Sequence, residues 1–242
     1  MSPERSFYAG VSMEAPEADA NPGFTDPRPG PYDSYSHIPD FAAKVRWEDK
    51  AVGHLQGGAV IRDIALENAG NTFHRDAVGW GVRFSGALIP FARVCGLQHD
   101  TMFFAVAYGE GIAAYILDLH GQADDAVVDA ADHLKALPVL AYYAGYTHYW
   151  TRCLRSSAVY SEVDLDNIAV ASDPKELAYH RGRYVAVNTV YQWRIQFGDD
   201  PDPKKNLHTG FAGLEYLYGL KETVGRARGE DNRVQFTLGL KY

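Results

Sequence analysis

The chain has 242 residues, with 23 Lys and Arg against 31 Asp and Glu, a net charge of −8, 16 Tyr, 23 Gly and 13% aromatic residues. That aromatic content, with only 22% charged residues, excludes a disordered chain, and the length suits one large all-β domain spanning 1–242. A pI of about 5.5 without any basic stretch argues against nucleic-acid binding.

Taken in chain order, alternation of apolar and polar residues predicts about ten strands, near 6–14, 40–48, 53–65, 78–90, 100–109, 138–150, 153–163, 182–193, 209–222 and 232–242. In the second of these Phe41, Ala43, Val45 and Trp47 share one side, while Lys44, Arg46 and Glu48 share the other. In the fourth, Trp80, Val82, Phe84 and Leu88 oppose Arg83 and Ser85. The stretch from Val139 to Trp150 is apolar or aromatic on both sides and leaves its faces open. Near the end, Leu214, Tyr216, Tyr218 and Leu220 oppose Glu215 and Gly219. The last nine residues set Val234, Phe236, Leu238, Leu240 and Tyr242 against Gln235, Thr237, Gly239 and Lys241.

A strand with one purely apolar face fits either an outer-membrane β-barrel, where lipid meets that face, or a soluble all-β domain. Connections should separate the two, because barrels carry long loops at one end and short turns at the other. The outer set falls at about 15–39, 66–77, 110–137, 164–181 and 223–231, and the inner set at about 49–52, 91–99, 151–152 and 194–208. The outer connections are mostly the longer, which favours the membrane barrel. Within the third, Gly121 to Leu134 spaces Ala, Val and Leu as a helix would, and predicts a short helix.

No run of about 18 apolar residues predicts a transmembrane helix, which leaves strands untouched. The first residues, Met1-Ser-Pro-Glu-Arg5, carry no secretory signal. Cys95 and Cys153 both adjoin inner turns with two strands between them, and are expected to be unpaired thiols.

Several segments carry a family resemblance. Ile38–Trp47 (IPDFAAKVRW), Gly53–Gln56 (GHLQ), Gly79–Gly86 (GWGVRFSG), Val106–Ile112 (VAYGEGI), Tyr115–Leu119 (YILDL) and Leu137–Leu140 (LPVL) follow in order. Gly145–Trp150 (GYTHYW), Leu154–Ser157 (LRSS), Val163–Asn167 (VDLDN), Gly213–Gly219 (GLEYLYG) and Asn232–Phe236 (NRVQF) continue the series. Together, over about residues 38–242, they resemble the C-terminal part of the DcaP-like porins, trimeric outer-membrane proteins of Gram-negative bacteria. The resemblance implies an antiparallel transmembrane β-barrel of sixteen strands, about ten of them present here, which passes small, often anionic solutes by diffusion. It also implies a homotrimer in contact with outer-membrane lipid. The chain departs from that pattern in strand number, in having no signal peptide, and in ending on Tyr242 where the family ends on Phe.

Alternation then nominates the side chains that line the path. Lys44, Arg46, His54, Arg62, Arg83, Arg155 and Lys241 fall on the inward side, with Glu48 and Glu215 as the acids. Of these, Lys44, Arg46, Arg62, Arg83, Arg155 and Glu215 are the candidate pore-lining residues, and a basic lumen would favour anions. The competing reading pairs some of these arginines with Glu48, Glu215 or loop aspartates. His74 with Asp76, His99 with Asp100, and Asp118 with His120 are neighbours of a kind that acid–base or metal chemistry uses, but none has the spacing of a zinc signature. No catalytic, cofactor or metal site is therefore expected. The rival functions are a soluble all-β binding domain and an outer-membrane hydrolase.

Overall fold

A computed structural model of the chain describes residues 5–23, 31–70, 72–94, 97–121, 124–129, 131–167, 178–196 and 207–241. Cys95, the acidic run at Asp199, Asp200 and Asp202, most of the fourth outer connection and Tyr242 lie outside them. Cys153 is an exposed free thiol. The strands are β1 (Arg5–Glu14), β2 (Ala20–Asn21), β3 (Tyr32–Tyr35), β4 (Asp40–Asp49), β5 (Gly53–Asn68), β6 (His74–Leu88) and β7 (Thr101–Glu110). They continue with β8 (Ala126–Val128), β9 (Leu134–Ala136), β10 (Pro138–Tyr149), β11 (Leu154–Leu165), β12 (Tyr179–Gln196), β13 (Leu207–Thr223) and β14 (Arg228–Lys241).

Ten long strands form one antiparallel sheet in the order β1-β4-β5-β6-β7-β10-β11-β12-β13-β14, with β3 paired to the far end of β5. Each long strand pairs with the next long strand in the chain, a meander in which the two longest connections carry the short strands β2, β3, β8 and β9. The ladder begins at β1 and ends at β14, and no pairing joins these two strands among the described residues.

The strands lie where alternation predicts but run further. β5 continues to Asn68, β6 begins at His74, and β14 begins at Arg228. Pairing persists past the apolar band because polar residues face one another there as readily, as in Glu67 opposite His74 and Glu222 opposite Arg228. The outer connections at 69–73 and 224–227 are consequently tight, while the inner one at 89–100 is longer than either. The expected segregation of loop length therefore holds only for 15–39, 111–137 and 166–178.

Among the described residues of 121–134 the expected helix is absent. Ala126–Val128 and Leu134–Ala136 form an antiparallel hairpin, and β2 adds to β8 in parallel, giving a small three-stranded sheet. Asp129 closes the hairpin by accepting from the amides of Ala131 (2.8 Å) and His133 (3.0 Å), a turn role that competes with helix. Ala126, Val127 and Val128 are all buried, so both sides of this strand have apolar neighbours and one-faced periodicity misreads it. Among the described residues of this connection, only a 3₁₀ turn, Ala113–Tyr115, is helical.

Directly paired residues share a face, so register assigns every side chain. One face carries Arg62, Ile64 and Leu66 of β5, Ala77, Gly79 and Gly81 of β6, Val139 of β10, and Val163 and Leu165 of β11. The small sheet and its flanks are folded onto this face, with Ile112, Leu119, Val127 and Leu137 packed against Val139, Val163, Leu165 and Tyr179. A second cluster joins Ile64, Leu66 and Phe73 to Ala20, Ala126, Val128 and Leu134. The other face is open.

At the inner end the connection 89–100 is tied down by one carboxylate. Buried Asp100 accepts from His148 Nδ1 at 2.7 Å, from the Tyr149 amide at 3.0 Å and from the Tyr146 hydroxyl. Burial alone would raise its pKa, but these donors outweigh burial and hold the carboxyl below the usual carboxylate range. A depressed pKa contributes stability that is present above the unfolded value and lost as pH falls through the folded one. Asp100→Asn is expected to lower stability at pH 7 by roughly 1–3 kcal/mol, the range for a buried partner left unsatisfied. The gap to the parent should close below about pH 4, near the ordinary Asp value, as read from thermal unfolding across pH.

Candidate functional site

β5 alternates Val60, Arg62, Ile64 and Leu66 onto the covered face, so an arginine stands in an otherwise apolar stripe. Its side chain has no exposed surface. Two glycines make the space: a Cβ at Gly79 would lie 2.7 Å from Arg62 Cγ, and one at Gly111, whose φ is +69°, would lie 2.6 Å from Ile64 Cδ1. Arg62 Nη1 donates to the Gly111 carbonyl at 3.1 Å and to both oxygens of Asp125 at 3.2 and 3.1 Å, while Nη2 donates to the Glu17 carbonyl. Asp40 Oδ2 is 3.3 Å from Nε. The Tyr115 ring centroid lies 5.4 Å from the guanidinium carbon, and its hydroxyl donates to Asp40 at 2.8 Å.

Asp125 is as deeply buried, and also accepts the amides of Ala114 at 3.0 Å and Asp19 at 3.1 Å. Burial pushes its pKa up to about 6, with the Arg62 charge and the two amides pulling the other way. Burial and the neighbouring Asp19 carboxylate raise Asp124 to about 6 as well, opposed by Lys221. Arg62 and Asp125 thus fasten both long connections, 15–39 and 111–137, to the wall made by β4 and β5.

The remaining nominated residues separate into two groups on the same face. Lys44 and Arg83 stand directly opposite Gly58 from its two sides, so no side chain intervenes, and neither forms an ion pair with a described residue. Arg46, one step along, meets Glu48 at 3.2 Å, as the pairing alternative anticipates. Arg155 and Glu215 line a depression of about 290 Å³ across β11 to β14, together with Asn188, Gln192, Thr237 and Lys241. Glu215 accepts there from Asn188 at 3.1 Å. Arg62 belongs to neither group: it faces the expected way but is sealed beneath the connections, so the reading that pairs it with a loop aspartate is the one observed.

Arg194 and Arg233 also lie on this face, in register with Thr209 and Leu217, and the sequence reading passes over both. One more alternation step from Gln235 reaches Arg233, so its signal was present. Arg194 falls in the stretch 194–208 that reads as a turn, whereas β12 runs three residues past 193, to Gln196.

The open face is apolar across the whole sheet. Phe7, Phe41, Trp47, Ile61, Trp80, Val82, Phe84, Val106, Leu140, Tyr191, Leu214, Tyr216 and Phe236 project from it. Val82 is 48% exposed, Phe84 44% and Phe236 68%. Polar pairs bound this band at both ends, with Arg5–Asp49 at 2.9 Å on one side and Arg183–Glu162 at 3.3 Å on the other. Trp80 and Tyr108 meet edge-to-face near the upper border, and Tyr191 stacks with Trp193 near the lower.

No family model and no curated protein sequence matches the chain. The crystal structure of the outer-membrane channel DcaP of Acinetobacter baumannii superposes on it with a TM-score of 0.68 at 17% identity, covering 100% of this chain. The chain shares the fold of that channel. It spans 59% of the channel's length, so the likeness is to part of that structure. The all-β, antiparallel, porin-like architecture implied by the resemblance of segments 38–242 is thus present over the entire chain.

Removing Arg62 tests the fastening. Arg62→Ala leaves Asp40 and Asp125 buried without their cation and should cost about 3–5 kcal/mol, whereas Arg62→Lys, which keeps charge but loses the fork, should cost less. Limited proteolysis is expected to cleave within 111–137 in the alanine variant before any cut in the strands.

Proposed function

We propose that this chain forms wall and constriction of an outer-membrane channel that passes small anionic or polar solutes by diffusion. The observation that carries the reading is the contrast between two faces of one sheet. An apolar band of this extent is far beyond what soluble monomers expose, and it has the borders, polar ends and aromatic rings that lipid requires. Opposite it, Lys44, Arg83, Arg155, Arg194 and Lys241 outnumber Glu48 and Glu215. Basic side chains around a water-filled path lower the barrier for anions, even in a chain whose total charge is −8.

Segments 15–23 and 111–137 narrow that path, because they are packed onto the lumen side rather than projecting from the rim. Trp47, Trp80, Tyr216 and Tyr218, all on the open face, supply the lipid girdles or the contact between protomers of a homotrimer. The setting that follows is the outer membrane of a Gram-negative bacterium, with the chain contributing ten strands to a sixteen-stranded barrel. Passage rather than catalysis is the activity of such a face. A soluble all-β domain would leave the open band in water.

Two measurements in planar bilayers bear on this. Replacing Arg83 and Arg155 together by Glu should move the zero-current potential in a salt gradient toward cation preference. An unchanged potential would remove both residues from the lining. Val82→Arg puts a charge at mid-band, where it costs about 2–4 kcal/mol in a barrel, and should reduce the inserted fraction of refolded protein in lipid vesicles while Val82→Leu does not.

A further inference from the structure

The outer rim of the open face carries a cluster that strand spacing alone does not reveal. β3 and β6 pair with the two sides of β5 such that Tyr35 and Asp76 both stand opposite Ala65, with His74 opposite Glu67. The small Ala65 side chain leaves the space above it to its neighbours. His37, just past β3, enters that space, and one donor atom from each of His37, His74 and Asp76 lies within 4.8 Å of the others. His74 Nε2 is 3.3 Å and His37 Nδ1 is 3.9 Å from Asp76 Oδ1. Donors on a tetrahedral zinc ion stand about 3.3 Å apart, given bond lengths of about 2.0–2.1 Å. Half-exposed side chains reach that spacing by small rotations.

We propose that His37, His74 and Asp76 bind a divalent transition-metal ion of the zinc class. The three donors come from separate pieces of chain, the segment after β3 and two positions of β6, and they are open to water on one side. Two imidazoles and one carboxylate select zinc, nickel or copper over magnesium or calcium, which require oxygen-rich shells. A second row orients the first. With His74 ligating through Nε2, its Nδ1 meets the Tyr35 hydroxyl at 3.0 Å, and that hydroxyl donates to Glu67 at 3.2 Å, a carboxylate relay of the kind that fixes ligating histidines. Asp63 of β5 accepts from the His37 amide at 2.8 Å, and its Oδ2 lies 2.8 Å from the same His37 Nδ1, holding that segment against β5 and offering a fourth oxygen beside the third donor. The ion would pin the long first connection to the rim of the wall.

The test is calorimetric titration of the folded full chain in detergent with zinc chloride, and with magnesium chloride as the hard-ion control. Saturable zinc binding should fall at least tenfold in His37→Ala and in His74→Ala, with no magnesium binding at comparable concentration. Tyr35→Phe should weaken zinc binding about 10–100-fold, the range for a group that positions a ligand, while leaving metal-free unfolding temperature unchanged. Zinc binding equal in the parent and the double His37→Ala/His74→Ala variant overturns the proposal, since other histidines such as His120 and His133 would then account for it, as does absence of binding in the parent. Because variants can misfold, cobalt(II) titration of the unmodified protein gives a second reading: a tetrahedral visible spectrum supports the site, and one indistinguishable from the hydrated ion overturns it.

Discussion

The buried guanidinium of Arg62 governs how this molecule is filled. A charge removed from water is tolerated only when it is paired, and its partners here come from four separate stretches of chain: Asp40 on β4, whose Oδ2 faces Nε without completing a hydrogen bond, the Glu17 carbonyl, the Gly111 carbonyl and Asp125 just before β8. Satisfying the arginine therefore requires two long connections to turn inward onto the sheet. Once they do, Ile112, Leu119, Val127 and Leu137 acquire an apolar surface to cover. The electrostatic centre specifies the docking position, and the flanking hydrophobic clusters supply most of its area.

The same placement leaves the rest of this face uncovered. The connections seal the outer half of β5 and its neighbours, while Lys44 and Arg83 around Gly58, and Arg155 and Lys241 in the depression across β11 to β14, lie toward the inner turns beyond that cover. The acidic residues of the inserted segments are largely consumed in holding structure, Asp125 by Arg62 and Asp129 by its own turn and Lys135 at 3.1 Å. A chain of net negative charge can present several unpaired basic side chains on one face for this reason.

Much of this was legible in the chain as written. Strict alternation in 41–48, 79–88, 214–220 and 234–241 specified strands, their number and their two faces, because a period of two has only one way to separate lipid-like from water-like residues. It also placed Lys44, Arg83 and Arg155 on a common side. Alternation was weaker where both sides are apolar, as from Val139 to Tyr149, and there pairing with β7 and β11 settled the faces.

What only the tertiary structure decided depended on distant partners. Strand ends moved outward because residues such as Glu67 and His74 gain a cross-strand neighbour that a local window does not contain. Ala126–Val128 became a strand because β2, more than a hundred residues away, offered it a backbone edge, and its helical spacing then counted for nothing. Arg62 looked like any inward arginine until Asp125 arrived beneath it, and His74 with Asp76 looked like a chance pair until the chain after β3 brought His37 alongside. Periodicity determined which way each side chain points; which groups meet at the end of that direction was set by the fold, since contact depends on pairing between segments and no single segment encodes it.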